Sequence, residues 1–438
     1  MKKFIRTIRN IFAIEELKDR LIFTLGFLII FRLGTFVVLP GVDPTKLVSQ
    51  SQGIFGLIDT FLGGAFSHAS IFGLGIMPYI SASIVLQLLI VAVPYFAKMQ
   101  KEGESGRRKI NQITRVLTIF ITFFQASAYL AGTIPTEAIM IDRSLFDFSA
   151  MVILTAGTIF CMYLGERITE KGIGNGISML IMIGIISRFP GAIYAEAADK
   201  GMTRALFFIL EIVALVFVVV GVVALTQATR KVPVQYAKQV VGSRVYGGQR
   251  QYIPLKVNAA GVMPIIFAQS LMFLPALIAQ FWANSSDIAA YVGNTFSNYH
   301  SWQYNLLFSA LIIIFTFFYT AITINPQQIA DDMKRNGGFI PGIKPGKATS
   351  DYIDNVLTKI TLPGSILLSM VAIMPAFAGI AGVSRQFAAF YGGTSLLILV
   401  GVVLDTLQQI ESYLLMRHYE GLMKSGKIKG RSNVAVAS

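Results

Sequence analysis

Charge is scarce in this chain: Asp, Glu, Lys and Arg make up 14% of its 438 residues. A soluble domain carries roughly a quarter, and here the apolar share is 54% with a mean hydropathy of +0.64. A water-surrounded globule is excluded, so the chain reads as an integral membrane protein. Cysteine is nearly missing too. Cys161 stands alone, which rules out an intramolecular disulfide and leaves it a packing role in an apolar run. The three histidines, His68, His300 and His418, are too scattered to share a metal. There is no phosphate-binding loop with its lysine, no nucleophile elbow and no zinc-binding helix motif. Gly172-Ile173-Gly174-Asn175-Gly176 is glycine-rich, but no strand precedes it, which argues against a phosphate cradle. An enzyme has little to stand on, and neither a cofactor nor a metal is expected.

What the chain has instead is long apolar runs. Segments of about 17–25 apolar residues fit spanning helices, and ten occur, at roughly 21–40, 74–93, 113–132, 149–165, 174–190, 205–227, 259–280, 304–324, 357–377 and 391–412. Glycines at 174, 176 and 184 weaken the fifth. Residues 1–20 are basic and amphipathic (Phe4, Ile5, Ile8, Ile11, Phe12), as expected of a helix lying on the membrane face. Glu15, Glu16 and Asp19 precede the first apolar run and no small-residue cleavage site follows, so that run is expected to remain as a span. With a cytoplasmic N-terminus, about 29 of the 37 Lys and Arg residues fall in cytoplasmic segments and about six outside. That asymmetry orients both termini inward. The formal charge of +14 then belongs mainly to cytoplasmic loops, where it serves orientation and headgroup binding or a docking surface for an acidic partner or RNA.

Spans 1–5 and 6–10 form two halves, and five is odd, so the second half enters from the opposite side. The expected organisation is a 1–20 cytoplasmic segment, a 21–190 first half, a 191–412 second half and a 413–438 cytoplasmic tail. A near-repeat marks both halves: Gly75-Ile76-Met77-Pro78-Tyr79-Ile80 and Gly261-Val262-Met263-Pro264-Ile265-Ile266. Gly and Pro inside a span predict two broken helices, tolerated only where protein or a water-filled cavity satisfies the freed backbone. An apolar stretch at about 55–70 is too short to cross the membrane and reads as a re-entrant element or an external loop. Two long basic cytoplasmic loops lie at about 229–258 and 325–356. Alternating Val232, Val234 and Tyr236 predict a strand in the first, with a hairpin turn at Gly247-Gly248. Gly337 to Gly346 predicts a stiff exposed tip in the second.

Charges inside spans are few: Arg32, Glu211 and Asp405. They are costly at membrane depth and are expected to face the bundle or snorkel. Ile76 and Ile80 are four apart, as are Ile177 and Ile181, so each pair shares a helix face. Such residues form either a dry constriction or ordinary helix packing, and spacing alone leaves both open.

Several motifs resemble one family. They are Gly75 to Ser83, Lys101-Glu102-Gly103-Glu104-Ser105-Gly106-Arg107-Arg108-Lys109, Gly172 to Ser178, Pro233-Val234-Gln235-Tyr236-Ala237-Lys238, Pro254 to Asn258, the Gly337–Gly346 loop, and Gly392 to Ile398. Their content and order are similar to the SecY/Sec61-alpha family of protein-translocation channels, over nearly the whole chain. The resemblance implies an all-α polytopic membrane protein with ten transmembrane helices in two inverted halves, a clam shell with a short plug helix. It implies a channel that passes unfolded polypeptide across the bacterial inner membrane or releases it sideways into lipid. By motif, the pore ring would be Ile76, Ile80, Ile177, Ile181, Ile266 and Ile398. The plug would include Asp59, Phe61, Gly63, Gly64 and Phe66, held by modest apolar contacts with Gly63, Gly64 and Gly73 as hinges. Spans 2 and 3 against 7 and 8 would form a lateral gate with Gln87 and Gln125 as polar contacts. Arg244, Arg250 and Lys344 would dock the SecA motor or the ribosome, and SecE and SecG would complete the complex with nascent chains as substrate. Lys344 stands where the bacterial family commonly has Arg, which keeps charge but loses the bidentate fork. Leu274 stands before Pro275 where relatives often carry an aromatic, so no gating role is assigned to it. The competing expectation is an inverted-repeat transporter of a small solute, which needs a polar midplane site.

Overall fold

In the computed structural model of the chain, the residues described are 14–47, 59, 62–201, 204–236, 239–241, 244–246, 250–269, 271–272, 295 and 301–424. Seven helices among them are long and apolar enough to cross a membrane, and a bent pair makes an eighth span. In chain order the first helices are α1 (Glu15–Gly34), α2 (Met77–Ala92), α3 (Pro94–Lys101), α4 (Glu104–Thr133), α5 (Arg143–Lys171), α6 (Gly176–Lys200) and α7 (Ala205–Gln227). After the first long basic loop come α8 (Trp302–Thr323), α9 (Pro326–Arg335), α10 (Lys347–Ile380), α11 (Arg385–Ala388) and α12 (Gly393–Lys424). The α2–α3 pair bends by 100°, because Pro94 cannot continue the helix and opens the next one instead. Span 7 of the sequence is described only as helix over 263–269 and 271–272.

Most helices overrun the apolar windows. α4, α5 and α10 extend into charged turns such as Glu104–Lys109 and Lys347–Asp354, since helical hydrogen bonding continues where the chain meets water. α1 carries Glu15 and Glu16 in its first turn, where they complement the helix dipole. Large apolar side chains remain uncovered on the outward faces, among them Leu206, Phe207, Leu210 and Phe217 of α7 and Ile22, Leu25 and Ile29 of α1. Those faces suit lipid.

The near-repeat is not a pair of broken helices. Ile76 caps α2, with Pro78 in its first turn and Gly75 at φ +51°. Gly261 likewise has φ +63° and the helix begins at 263. Proline at the first turn sacrifices only an amide that has no helical partner, and glycine supplies the left-handed turn that precedes it. The motif therefore starts a helix in each half. The fifth span follows the same logic: Gly174 at φ +78° and Asn175, whose Oδ1 accepts from the Ile177 and Ser178 amides, open α6 cleanly, and the helix runs on to Lys200.

The two basic loops form one body. Strand β1 (Thr229–Tyr236) pairs antiparallel with β4 (Arg250–Lys256) on one side and β5 (Gly338–Phe339) on the other. β2 (Gln239–Val241) and β3 (Arg244–Tyr246) pair antiparallel as a separate two-stranded sheet. Val241 pairs with Arg244; the expected turn at Gly247-Gly248 falls between β3 and β4 and lies outside the described residues. Val232, Val234, Leu255, Met333, Ile340 and Leu357 bury a core beneath the sheet. The second loop also contains α9, capped by Asn325, which the Gly/Pro density of its neighbour obscured in the sequence.

Candidate functional site

Helix α6 organises the site. Its face carries Ile177, Ile181, Gly184 and Arg188 in order, spaced by one-turn steps. Ile177 and Ile181 belong to one hydrophobic cluster with Ile76 and Ile80 at the start of α2 and Ile398 of α12. Ile76 and Ile398 are buried and the other three half-buried. Ile266 is half-buried and stands outside that cluster; Val262 belongs to it instead. Val262 is the counterpart of Ile76 in the near-repeat, so the second half contributes through the first apolar residue of the motif and not through the later isoleucine. The sequence held that signal, but attention to isoleucine alone passed over it.

The loop before α6 is clamped from two helices. The Ile173 amide donates to Thr24 Oγ1 of α1 at 3.1 Å, and the Gly174 amide donates to Gln409 Oε1 of α12 at 2.8 Å. The Gly176 amide donates to Thr169 Oγ1 at 2.9 Å, and a side chain at 176 would strike the Gly165 carbonyl at 2.0 Å. The glycine-rich run thus serves close packing rather than phosphate binding. Leaving the buried Gly174 amide unpaired costs about 1–3 kcal/mol. The Gln409→Leu variant is expected to lose stability by that amount and to show faster amide hydrogen exchange at 174–178 than the unaltered chain.

Further along α6 from the isoleucines lies the segment expected to be the plug. Asp59 and residues 62–70 are described; Phe61 lies outside the described residues. Residues 62–69 form consecutive turns instead of a regular helix, because Gly63 (φ +63°) and Gly64 (φ +97°) leave the helical region. The turn seats on α6 closely: a Cβ on Gly63 would lie 2.9 Å from the Gly184 Cα and 2.9 Å from Ser187 Oγ. Phe66 packs edge-on against Tyr129 of α4 at 4.7 Å between ring centroids, and the Tyr129 hydroxyl donates to the Phe66 carbonyl at 2.7 Å. The backbone joins α1's exit, with Leu39 N donating to the Ala69 carbonyl and Ile71 N to the Val37 carbonyl.

Leu62, Ala65, Phe66 and Ala69 are buried in an apolar cluster with Tyr129 and Leu130, and polar contacts add to that packing. Arg32 of α1 donates from Nη1 to the Gly63 carbonyl at 2.8 Å. Arg188 of α6 pairs with the Asp59 carboxylate, which also accepts from the Ser67 amide at 3.0 Å. Gly63 and Gly64 act as seats for close approach, and one ion pair and one charged hydrogen bond reinforce the apolar grip. Arg32 thus faces the bundle as expected of an in-span charge. Arg188 had no signal in the sequence, since its partner lies 129 positions away.

On the opposite flank, the Tyr319 hydroxyl of α8 donates to Gln87 Oε1 of α2, while Gln87 Nε2 reaches Ser83 Oγ at 3.5 Å. Tyr319 also packs on Phe267 at 5.7 Å, so this bond lies where span 2 meets spans 7 and 8. Gln125 on α4 is half-buried and has no hydrogen-bond partner among the described residues. Lys344 is exposed in the turn after β5. Arg250 opens β4, in the sheet that also holds β5 before the Lys344 turn, whereas Arg244 lies on β3 of the two-stranded sheet.

A further cluster lies at the C-terminal end of α6. Lys200 of α6 sits between Glu196, at 2.9 Å, and Glu211 of α7. The Ser384 amide donates to Glu196 Oε2 at 3.0 Å, and the Tyr391 hydroxyl donates to the Glu211 carbonyl at 2.6 Å. Glu211, isolated in the sequence of its span, is paired in the fold. Asp405, by contrast, is exposed on α12, two turns inward of Ile398 on the same helix face. No group of three or more His, Cys, Asp or Glu among the described residues is arranged to hold a metal ion.

The comparisons with known proteins agree with this geometry. The SecY family model matches residues 70–407. The protein translocase subunit SecY of Halalkalibacterium halodurans is 46% identical over 436 residues, covering 96% of this chain and all of the relative. That of Bacillus subtilis is 43% identical over 434 residues, with 96% and 100% covered, and that of Streptomyces coelicolor 43% over 430, with 94% and 98% covered. Among solved structures, a protein conducting channel superimposes with a TM-score of 0.63 at 18% identity, covering 90% of this chain and 92% of the other. A SecY structure, described for a plug domain that stabilises the closed translocation channel, gives 0.60 at 19% over the same shares. A polytopic, mostly helical membrane fold, helix starts matched between its halves and family motifs from end to end lead to one assignment: this chain belongs to the SecY family.

Proposed function

We propose that the chain is the pore-forming subunit of a protein-translocation channel in a bacterial inner membrane. It passes unfolded secretory polypeptides across the bilayer and releases apolar segments sideways into lipid. The observation that carries this reading is the aliphatic cluster of Ile76, Ile80, Ile177, Ile181, Val262 and Ile398, with the 59–70 segment docked outward of it on the same face of α6. A channel for arbitrary sequences cannot rely on specific hydrogen bonds, whereas flexible aliphatic side chains close around any residue and shed water when empty. A solute transporter needs convergent polar groups at this depth, and aliphatic side chains occupy it instead.

In this reading residues 59–70 are the plug, and the α2–α8 contact at Gln87 and Tyr319 belongs to the lateral gate. Both termini face the cytoplasm, as the basic loops favour. The sheet that ties the two loops together carries Arg250 and leads into the Lys344 turn, and with Arg244 on β3 these residues would dock a SecA-type motor or a ribosome. Relatives of the same fold include Sec61 in a canine ribosome–channel complex, at a TM-score of 0.59. SecE and SecG subunits would cover part of the exposed apolar surface. The channel performs no covalent chemistry of its own.

The direct test is disulfide capture. A secretory chain stalled in transit and carrying one cysteine is expected to crosslink to Ile181→Cys in the assembled complex, with cysteines placed on lipid-facing Phe217 as the negative control. Translocation without capture at 181 overturns the pore assignment.

A further inference from the structure

We infer that the Asp59–Arg188 ion pair is a latch that sets how strong an opening stimulus the channel requires, making these two residues determinants of substrate stringency. The inference rests on the reading of residues 59–70 as the plug and goes beyond it by naming what fixes the threshold.

The geometry is specific. The Asp59 side chain is 2% exposed and belongs to the segment that must leave; Arg188 is 27% exposed and belongs to the wall that stays. The carboxylate takes the Arg188 Nη2 and the Ser67 amide, and Arg188 Nη2 also reaches Ser67 Oγ at 3.3 Å. The Asp59 carbonyl accepts from the Gly64 amide at 3.1 Å, so the carboxylate is tied to the same turn that rests on Gly184. Arg188 lies seven residues beyond Ile181, about 10 Å along the helix. The pair therefore sits just outside the aliphatic cluster, across the surface that parts when the segment moves. Arg32 adds a second grip on Gly63 but touches only a carbonyl.

The two partners are unequal, and this gives the latch a signature. Removing Arg188 leaves a carboxylate that is almost fully buried and unpaired, the most costly outcome for a buried pair. Removing the charge of Asp59 leaves a guanidinium already one quarter exposed, which water can solvate at little cost. Packing predicts no such asymmetry, and it predicts no rescue by exchanging the charges.

The test uses the complete complex, reconstituted in planar bilayers for ion conductance and in vesicles for transport of a preprotein with a defective signal. Arg188→Leu is expected to raise both resting conductance and defective-signal transport by at least about tenfold. Asp59→Asn is expected to raise them severalfold less, and the exchange Asp59→Arg with Arg188→Asp to return them toward the unaltered level. Elution and thermal stability of each complex in detergent separate a latch defect from misfolding, and the exchange variant retains the test if Arg188→Leu assembles poorly. An Ile80→Asn complex serves as the leaking control. If that control leaks while Arg188→Leu stays tight, or if the exchanged pair leaks as much as Arg188→Leu, the latch is wrong and the channel reading stands. If the Ile80→Asn control is itself tight, the channel reading fails and takes the latch with it.

Discussion

Membranes containing Ile80→Asn are expected to leak ions while the unaltered protein does not. Ile80 is half-buried in the cluster that joins α2, α6 and α12. Removing its side chain forfeits about 1.5–3 kcal/mol of apolar burial, and the carboxamide that replaces it invites water into a space that is otherwise dry. Taken together, a loss of about 2–4 kcal/mol in the closed seal corresponds to roughly 30- to 1,000-fold more of the hydrated state. Ion flux from reconstituted vesicles measures it directly. The geometry adds a discrimination that isoleucine counting lacks. Val262→Asn is expected to leak more than Ile266→Asn, because Val262 belongs to the cluster and Ile266 does not. Equal leak from both, or none from Ile80→Asn, contradicts the constriction described here.

The second large effect concerns stability. Lys200→Met is expected to cost about 3–5 kcal/mol, the loss typical of a buried ion pair deprived of one partner. Glu196 is fully buried and Lys200 is 8% exposed, with Glu211 close to the same. Without the ammonium, two carboxylates face each other across the α6–α7 junction, and one must take up a proton or drag in water. Heat inactivation of the purified complex in detergent is the measurement, read as a half-life at fixed temperature. Adding Glu211→Gln to Lys200→Met is expected to recover part of the loss by removing one of the stranded charges. A Lys200→Met complex as durable as the parent shows that the cluster is solvated and not structural.

Some of this was legible from the chain alone because the physics was local. Helix α7 spans the residues that hydropathy marks, Ala205 to Gln227, since nothing but Glu211 interrupts its apolar run. The strand at Val232, Val234 and Tyr236 followed from alternation. Helix ends were less legible. α1 starts at Glu15, well before its apolar window, because charged side chains at a helix start are favourable there and only look like a loop in a hydropathy reading. The Gly-x-Met-Pro motif looked like a break because glycine and proline disfavour helix interiors, and position decides whether they do harm. Here both stand at the entrance.

What stayed invisible was everything that joins distant parts. Arg188 reads as one more external positive charge until Asp59 is placed against it. Gln409 and Thr24 are unremarkable polar residues in apolar helices until the Gly174 and Ile173 amides reach them. The shared sheet between the two basic loops depends on Gln235 pairing with Phe339, more than a hundred positions apart. Such contacts carry no periodicity, so no pattern within a window reports them.

The burial of Cys161 has a practical consequence. The thiol is enclosed among α5's neighbours with no exposed surface, so maleimides and oxidants in either aqueous compartment or in lipid have no path to it. The natural protein is therefore already a silent background for site-directed labelling. Fluorophores, spin labels and paired cysteines can be introduced one at a time, with the native residue left in place and its packing undisturbed.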